Sequence, residues 1–280
     1  MALFRLERAL IRVSGADRVV FLDNLLTQNV EGLDGVRYGA LLSPQGKVIA
    51  DMLLWAVGET IVIETDPKFG EALLRRLNMY KLRARVALEN AGDLCVAYSP
   101  APFDAALADP RMPDGALGWR RLAPRAETDA LADGDDVFAQ LRIGAGVPDL
   151  AVDAQSEEVF AGEALLDELR GVDFQKGCFV GQENVSRMKR RATTRRKFCA
   201  VAFDGEAIAY GTPVRAGAAD IGTMRSAQTG RGIALMRLDR ALEAHERGEK
   251  LMAGEREIRL DPPAWLILPP TKLEGAAGDD

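Results

Sequence analysis

Lys176-Gly177-Cys178-Phe179-Val180-Gly181-Gln182-Glu183 brings a thiol, an ammonium, two glycines and two polar side chains into one short stretch. The residues from Gln182 to Lys189 include no Pro or Gly and read as a helix, so Cys178 falls in the turn that feeds a helix start. Unpaired N–H groups and the positive end of the helix dipole favour thiolate over thiol there, and Lys176 adds a positive charge. Gly177 and Gly181 admit backbone conformations that other residues avoid. This is the chemistry of a nucleophile, a mixed disulfide or a transient iron ligand. For a lone Cys the plainer alternative is a small hydrophobe buried in a turn. A basic run follows at Arg187, Lys189, Arg190, Arg191, Arg195, Arg196 and Lys197. It reads either as a solvated face or as an attraction for a polyanionic ligand or an acidic partner.

Two further positions carry chemistry. Asp51 stands among Ile49, Ala50, Met52 and Leu53, and a carboxylate in so apolar a strand needs a partner. Arg142 opens the turn Arg142-Ile143-Gly144-Ala145-Gly146-Val147-Pro148. A guanidinium there suits planar carboxylates and flat rings, or simply ties a helix end to a loop. Gln182 and Glu183 surround Cys178, and Glu183 is also a favourable charge for the first turn of a helix.

Composition excludes several classes. The chain has 280 residues and a net charge of −6, so general nucleic-acid affinity is not implied. Cys95, Cys178 and Cys199 are widely spaced and odd in number, which argues for a reducing compartment and against a disulfide frame. A single histidine and the absence of C-x-x-C exclude the usual zinc patterns. Three cysteines cannot alone supply the four thiolates that an iron–sulfur cluster normally takes. No apolar run is long enough to span a membrane. The chain starts directly into structure without a signal-peptide core, and the expectation is a cytoplasmic protein.

The elements that must position these residues can be read along the chain. Phe4 to Val13 suits a strand, and Ser14 is placed to cap a helix over Ala16 to Thr27. Val48 to Val57 and Thr60 to Thr65 read as paired strands, and Asp66-Pro67 starts a helix running to about Leu82. Arg83 to Glu89 and Leu94 to Tyr98 read as a hairpin about Asn90-Ala91-Gly92-Asp93. Pro100 to Asp136 mixes short strands with loops, and a short helix over Asp135 to Ile143 ends at Gly144. From Lys197 onward short apolar runs alternate with Gly, the texture of a small antiparallel barrel. One helix over Leu238 to Arg247 interrupts it, and Trp265 to Leu268 is expected to help close it.

The string K-G-C-[FY]-x-G-Q-E resembles the signature of the YgfZ family, with Phe179 where that family usually has Tyr. These are folate-binding proteins built like the aminomethyltransferase (T-protein) of glycine cleavage, and they support iron–sulfur cluster assembly or repair. The resemblance covers most of the chain. Phe21-Leu22-Asp23-Asn24-Leu25-Leu26-Thr27-Gln28-Asn29-Val30 looks like the family's first helix, and Leu42-Ser43-Pro44-Gln45-Gly46-Lys47-Val48-Ile49-Ala50-Asp51 like its first hairpin. Tyr80-Lys81-Leu82-Arg83-Ala84-Arg85-Val86 and the turn from Arg142 to Pro148 match two further elements. Ala161-Gly162-Glu163 departs from the family's usual approach to the signature.

What the resemblance implies is an α+β fold. A T-protein-like folate-binding region around a central hole spans residues 1–196, a C-terminal antiparallel β-barrel 197–270, and a flexible tail 271–280. It implies tetrahydrofolate or a derivative as cofactor, with Asp51 on the pterin and Arg142, Gln182 and Glu183 beside the folate. Cys178 and Lys176 become the catalytic candidates, with no resident metal. The implied partners are iron–sulfur client or assembly proteins, not nucleic acid or membrane. A folate-dependent aminomethyltransferase and a non-enzymatic folate-binding adaptor are the alternatives. Gly144 stands where the T-protein turn has Glu, which weighs against the first.

Overall fold

The structure, a computed structural model, describes residues 2–191 and 194–271. The chain divides into two compact units. One is built from Met1–Leu141, Ser156–Glu158 and Leu169–Gln182, the other from Arg142–Gln155, Val159–Glu168 and Glu183–Asp280. The single cut expected at residue 196 is thus replaced by interleaved segments. The expected tail, apart from Thr271, lies outside the described residues.

In the first unit the elements are β1 (Phe4–Leu6), β2 (Ala9–Ser14), α1 (Arg18–Asp23), β3 (Val36–Leu42), β4 (Val48–Val57), β5 (Thr60–Thr65), α2 (Pro67–Lys81), β6 (Ala87–Asn90), β7 (Leu94–Ser99), β8 (Leu107–Ala108), β9 (Trp119–Pro124), α3 (Arg125–Thr128), β10 (Ala132–Asp133) and the start of α4 (Asp135–Ala145). Two five-stranded sheets result, in the orders β10-β1-β7-β9-β8 and β3-β4-β5-β2-β6. The β4–β5 pairing follows the sequence reading, and Asp66 caps α2 by accepting from the Lys68 N–H at 2.8 Å. The expected hairpin about residues 90–93 does not form. β6 pairs with β2 in one sheet and β7 with β1 and β9 in the other. The N–H of Ala91 bonds to Leu10 O, so the intervening residues carry the chain from one sheet to the other instead of reversing it. The expected first strand is likewise divided between the sheets, at Glu7 and Arg8. The expected helix over 16–27 shortens to α1, and no side chain caps it.

The second unit holds the end of α4, α5 (Leu150–Asp153), nearly all of α6 (Gln182–Arg191), and β11 (Arg196–Phe203), β12 (Pro213–Ala216), β13 (Ala219–Gln228), β14 (Arg231–Arg237), α7 (Leu238–Glu246), β15 (Leu251–Ala253) and β16 (Arg256–Leu260). The six strands close in the order β11-β14-β13-β12-β15-β16. Closure is made by β16 against β11, and Trp265 to Leu268 is not a strand. Pro262 and Pro263 stand just before it, and proline cannot donate to a ladder. No helix among the described residues is long and apolar enough to cross a membrane.

Candidate functional site

Three stretches that look unrelated in sequence meet in the first unit. The chain entering the signature is bonded to the residues after α1. Gln28 Nε2 donates to Arg170 O at 2.7 Å, Thr27 Oγ1 donates to Gly171 O, and Asp173 N donates to Thr27 O at 3.0 Å. The signature turn then lies against the β3–β4 turn. Gly181 has φ +83°, and a Cβ there would stand 2.6 Å from Ser43 O and 3.1 Å from the Gly46 Cα. Only glycine fits so close a backbone approach at that φ.

Lys176 is the pin of this assembly. Its ammonium donates to Asp23 O at 2.6 Å, Leu26 O at 2.8 Å and Gln28 O at 2.9 Å, with Asp23 Oδ1 at 3.1 Å. An ammonium has three N–H bonds, and the carbonyl oxygens take all of them. Burial holds its pKa below the ordinary lysine value against the opposing pull of Asp23. The Phe179 ring is buried beside it, its centroid 5.5 Å from Nζ. Its donors are committed to holding the turn, so any help that Lys176 gives the thiol comes from its charge and not from a hydrogen bond.

Cys178 is exposed, while Cys95 and Cys199 are buried. Cys199 donates to Ala200 O at 3.3 Å, and burial pushes its thiol up to about 12. Gln182 folds back across the turn, Nε2 donating to Gly177 O at 3.3 Å. Glu183 is exposed in the first turn of α6, as the sequence reading placed it. Much of the basic run has structural work. Lys189 pairs with Asp167 at 3.1 Å, Arg196 with Glu163 at 3.1 Å, and Lys197 is buried against Glu168. Arg142, expected either beside the folate or as a tie between a helix end and a loop, is 2% exposed within the second unit and makes the tie. It donates to Asp153 Oδ2 at 2.8 Å and Ser226 Oγ at 2.7 Å, tying α4 and α5 to β13.

Asp51 is half-buried on β4 and accepts from the Tyr38 hydroxyl at 3.0 Å. Behind it lies a charged cluster that sequence reading missed. Arg111 forks onto Asp109 with bonds of 2.9 and 2.7 Å, and its guanidinium lies 5.4 Å from the Tyr38 ring centroid. Arg120 bridges the two sheets, donating to Glu64, which also accepts from Trp55 Nε1 at 2.8 Å. Its Nη2 lies 2.8 Å from Asp109 Oδ2, an ion-pair approach too oblique to count as a hydrogen bond. The Phe138 ring stands among Arg8, Arg111 and Arg120, with centroid distances of 5.5, 5.5 and 5.1 Å. Burial alone would push Asp109 up, but Arg111 and Arg120 outweigh it and hold the carboxyl at about 2. Burial alone would lower Arg111, but Asp109, then Tyr38 and Asp51, hold it above its ordinary value. The missed residues fall in the stretch 100–136, read as loops and short strands. A signal was present: Arg120 and Arg121 are neighbours in one strand, where successive side chains point to opposite faces, so one of the two must face inward.

Comparisons with known proteins add to this geometry. Residues 195–267 match the CAF17 C-terminal beta-barrel domain. The chain is 32% identical over 213 residues to the iron-sulfur cluster assembly factor IBA57 homolog, mitochondrial, of Pyricularia oryzae. That match covers 68% of this chain and 54% of the fungal protein, so the chain spans about half the length of that relative. It is 29% identical to the mouse and 28% identical to the human iron-sulfur cluster assembly factor IBA57, mitochondrial, each match covering 84% of this chain and 77% of the relative. The glycine cleavage system aminomethyltransferase T of Bartonella henselae superposes with a TM-score of 0.73 at 16% identity, over 97% of this chain and 88% of that one. The cytoplasmic expectation is corrected by these relatives, since the fungal, mouse and human proteins are all named as mitochondrial. Unpaired cysteines point to a reducing compartment, a condition that more than one compartment meets, so they could not make the distinction. The chain has the aminomethyltransferase fold with a CAF17-type C-terminal barrel, and the relatives it matches are iron–sulfur cluster assembly factors.

Proposed function

We propose that this chain is a YgfZ-type folate-binding protein that assists iron–sulfur cluster assembly or repair through Cys178. The observation that carries the reading is the one exposed thiol, set on a turn whose neighbours are pinned by Lys176 and Gly181. A fixed turn presents the thiol in one geometry. Thiolate is the form that attacks an electrophile or ligates iron, and ligation releases the thiol proton. With Cys95 and Cys199 buried, one accessible thiol cannot complete a cluster's ligand set. The cluster is then cargo, and its other ligands come from elsewhere. The names of the relatives support the same reading. In cells lacking the native gene, wild type and the Cys95→Ser and Cys199→Ser variants are expected to restore the activity of cluster-containing enzymes. Cys178→Ser is expected to leave it at the knockout level. Restoration by Cys178→Ser would reduce the signature to a structural turn.

The residues of the first unit fit tetrahydrofolate in chemical type. A carboxylate has about four acceptor positions, so Asp51, with Tyr38 donating to one oxygen, can also receive the amino and N–H edge of a pterin. Bound folate would supply one-carbon or reducing chemistry, and the protein's part is to grip and orient the ring. Calorimetry on wild type and Asp51→Ala is expected to show a loss of about 1.5–3 kcal/mol, the value of a charged hydrogen bond. Equal affinities would remove Asp51 from the site.

A further inference from the structure

The tip that follows α2 combines two unusual features. Leu82 has φ 43° and ψ −107°, where the Cβ of an L residue is crowded. Its side chain is 88% exposed. Leucine neither relieves the backbone there, as glycine would, nor buries its apolar surface. The neighbours over-determine this conformation. Ala84 N donates to Lys81 O at 2.8 Å, and Arg85 is tied to Asp17 by bonds of 2.8, 3.2 and 2.8 Å. Gly15, at φ +101°, lies so close that a Cβ would stand 2.2 Å from Arg85 O. Strain that a fold maintains in this way points to function.

The surroundings indicate which function. A groove of about 340 Å³ beside the tip is lined mainly by Val20, Phe21, Leu25, Tyr80 and Ala84. Val20 and Met79 are each 65% exposed. Residues 75–85 hold five basic side chains and no acidic one, in a chain of net charge −6. Arg75, Arg76 and Arg85 are answered by Glu71, Glu157 and Asp17. Lys81 and Arg83, which flank Leu82, make no ion pair among the described residues.

We propose that this tip docks an acidic protein partner. Leu82 enters an apolar recess on that partner, carboxylates around the recess meet Lys81 and Arg83, and an apolar side chain of the partner fills the groove. An apolar anchor inside a charged rim is the usual anatomy of an interface, and the charges set on-rate and specificity. An anionic membrane would meet the cations and the leucine but leave the concave groove empty. The proposal stands apart from folate binding and from the chemistry of Cys178.

The test places a photo-crosslinking amino acid at Leu82 in the full chain, in cells lacking the native gene, with Leu107 as a control position outside the patch. The crosslinked protein is identified, purified and titrated against wild type, Leu82→Gly and the double variant Lys81→Glu/Arg83→Glu. The expected result is an adduct at position 82 only, with an acidic protein. Its binding should weaken with salt, and by about tenfold or more in both variants. Leu82→Gly is also expected to melt above wild type, because glycine adopts the positive φ without crowding. Lost binding in that variant then cannot be ascribed to misfolding. A lipid adduct, an adduct with a second copy of this chain, or labelling no stronger than at Leu107 would overturn the proposal. So would a partner that binds all three proteins equally, or a Leu82→Gly protein that melts below wild type.

Discussion

Arg120→Met is expected to lower stability by about 3–5 kcal/mol, the cost of breaking a buried ion pair by removing one partner. Glu64 and Asp109 are 2% and 0% exposed, and the substitution leaves both carboxylates without the guanidinium that spans them. Trp55 and Arg111 still serve one carboxylate each, so the loss is large without abolishing the fold. Urea unfolding followed by tryptophan fluorescence measures it. The double variant Arg120→Met/Glu64→Gln is expected to be more stable than Arg120→Met, because the group left behind is neutral. An unchanged urea midpoint for Arg120→Met would mean that the cluster is solvated in the folded protein.

The same cluster sets an acid limit. Asp109 is held at about 2 against an ordinary value of 3.8. A depressed carboxyl contributes stability above its unfolded pKa, and that contribution is lost as pH falls through the folded value. The window therefore runs from near pH 4 down to near pH 2, and the contribution is roughly 2 kcal/mol at 1.36 kcal/mol per unit. In Arg120→Met one of the two charges that depress Asp109 is gone, so the acid limb should begin at higher pH.

The second large effect is expected at Lys176. Lys176→Met leaves three carbonyl oxygens without their donor and Asp23 without its cation. Charged hydrogen bonds contribute about 1.5–3 kcal/mol each and do not add fully, so a loss of about 3–5 kcal/mol is expected. Amide hydrogen exchange around 174–181 should accelerate together with the fall in urea midpoint. This outcome separates two roles. A lysine acting only on the thiol would leave stability unchanged and alter only the alkylation rate of Cys178, whereas a pin alters stability and local exchange together.

Much of the fold was legible because its signals are local. The apolar run from Val48 to Val57, the Asp66-Pro67 helix start and the Gly-punctuated runs after Lys197 each report a preference that acts within a few residues. The turn holding Cys178 and the helix from Gln182 were readable for the same reason. Pairing across the chain was not. Asn90 to Asp93 has turn chemistry in either case, and only the competition between two sheets decides whether the strands beside it meet. The role of Lys176 was hidden as well, since its partners lie some 150 residues earlier and are backbone oxygens that no side-chain pattern announces. Arg120 follows the same rule, its partner Glu64 lying 56 residues earlier. Sequence marks a charge in an apolar setting as needing a partner. Whether that partner is a ligand or a buried carboxylate depends on which segments fold against it: Asp109 and Asp153 lie near Arg111 and Arg142 in the chain, while Glu64 reaches Arg120 only through the tertiary structure.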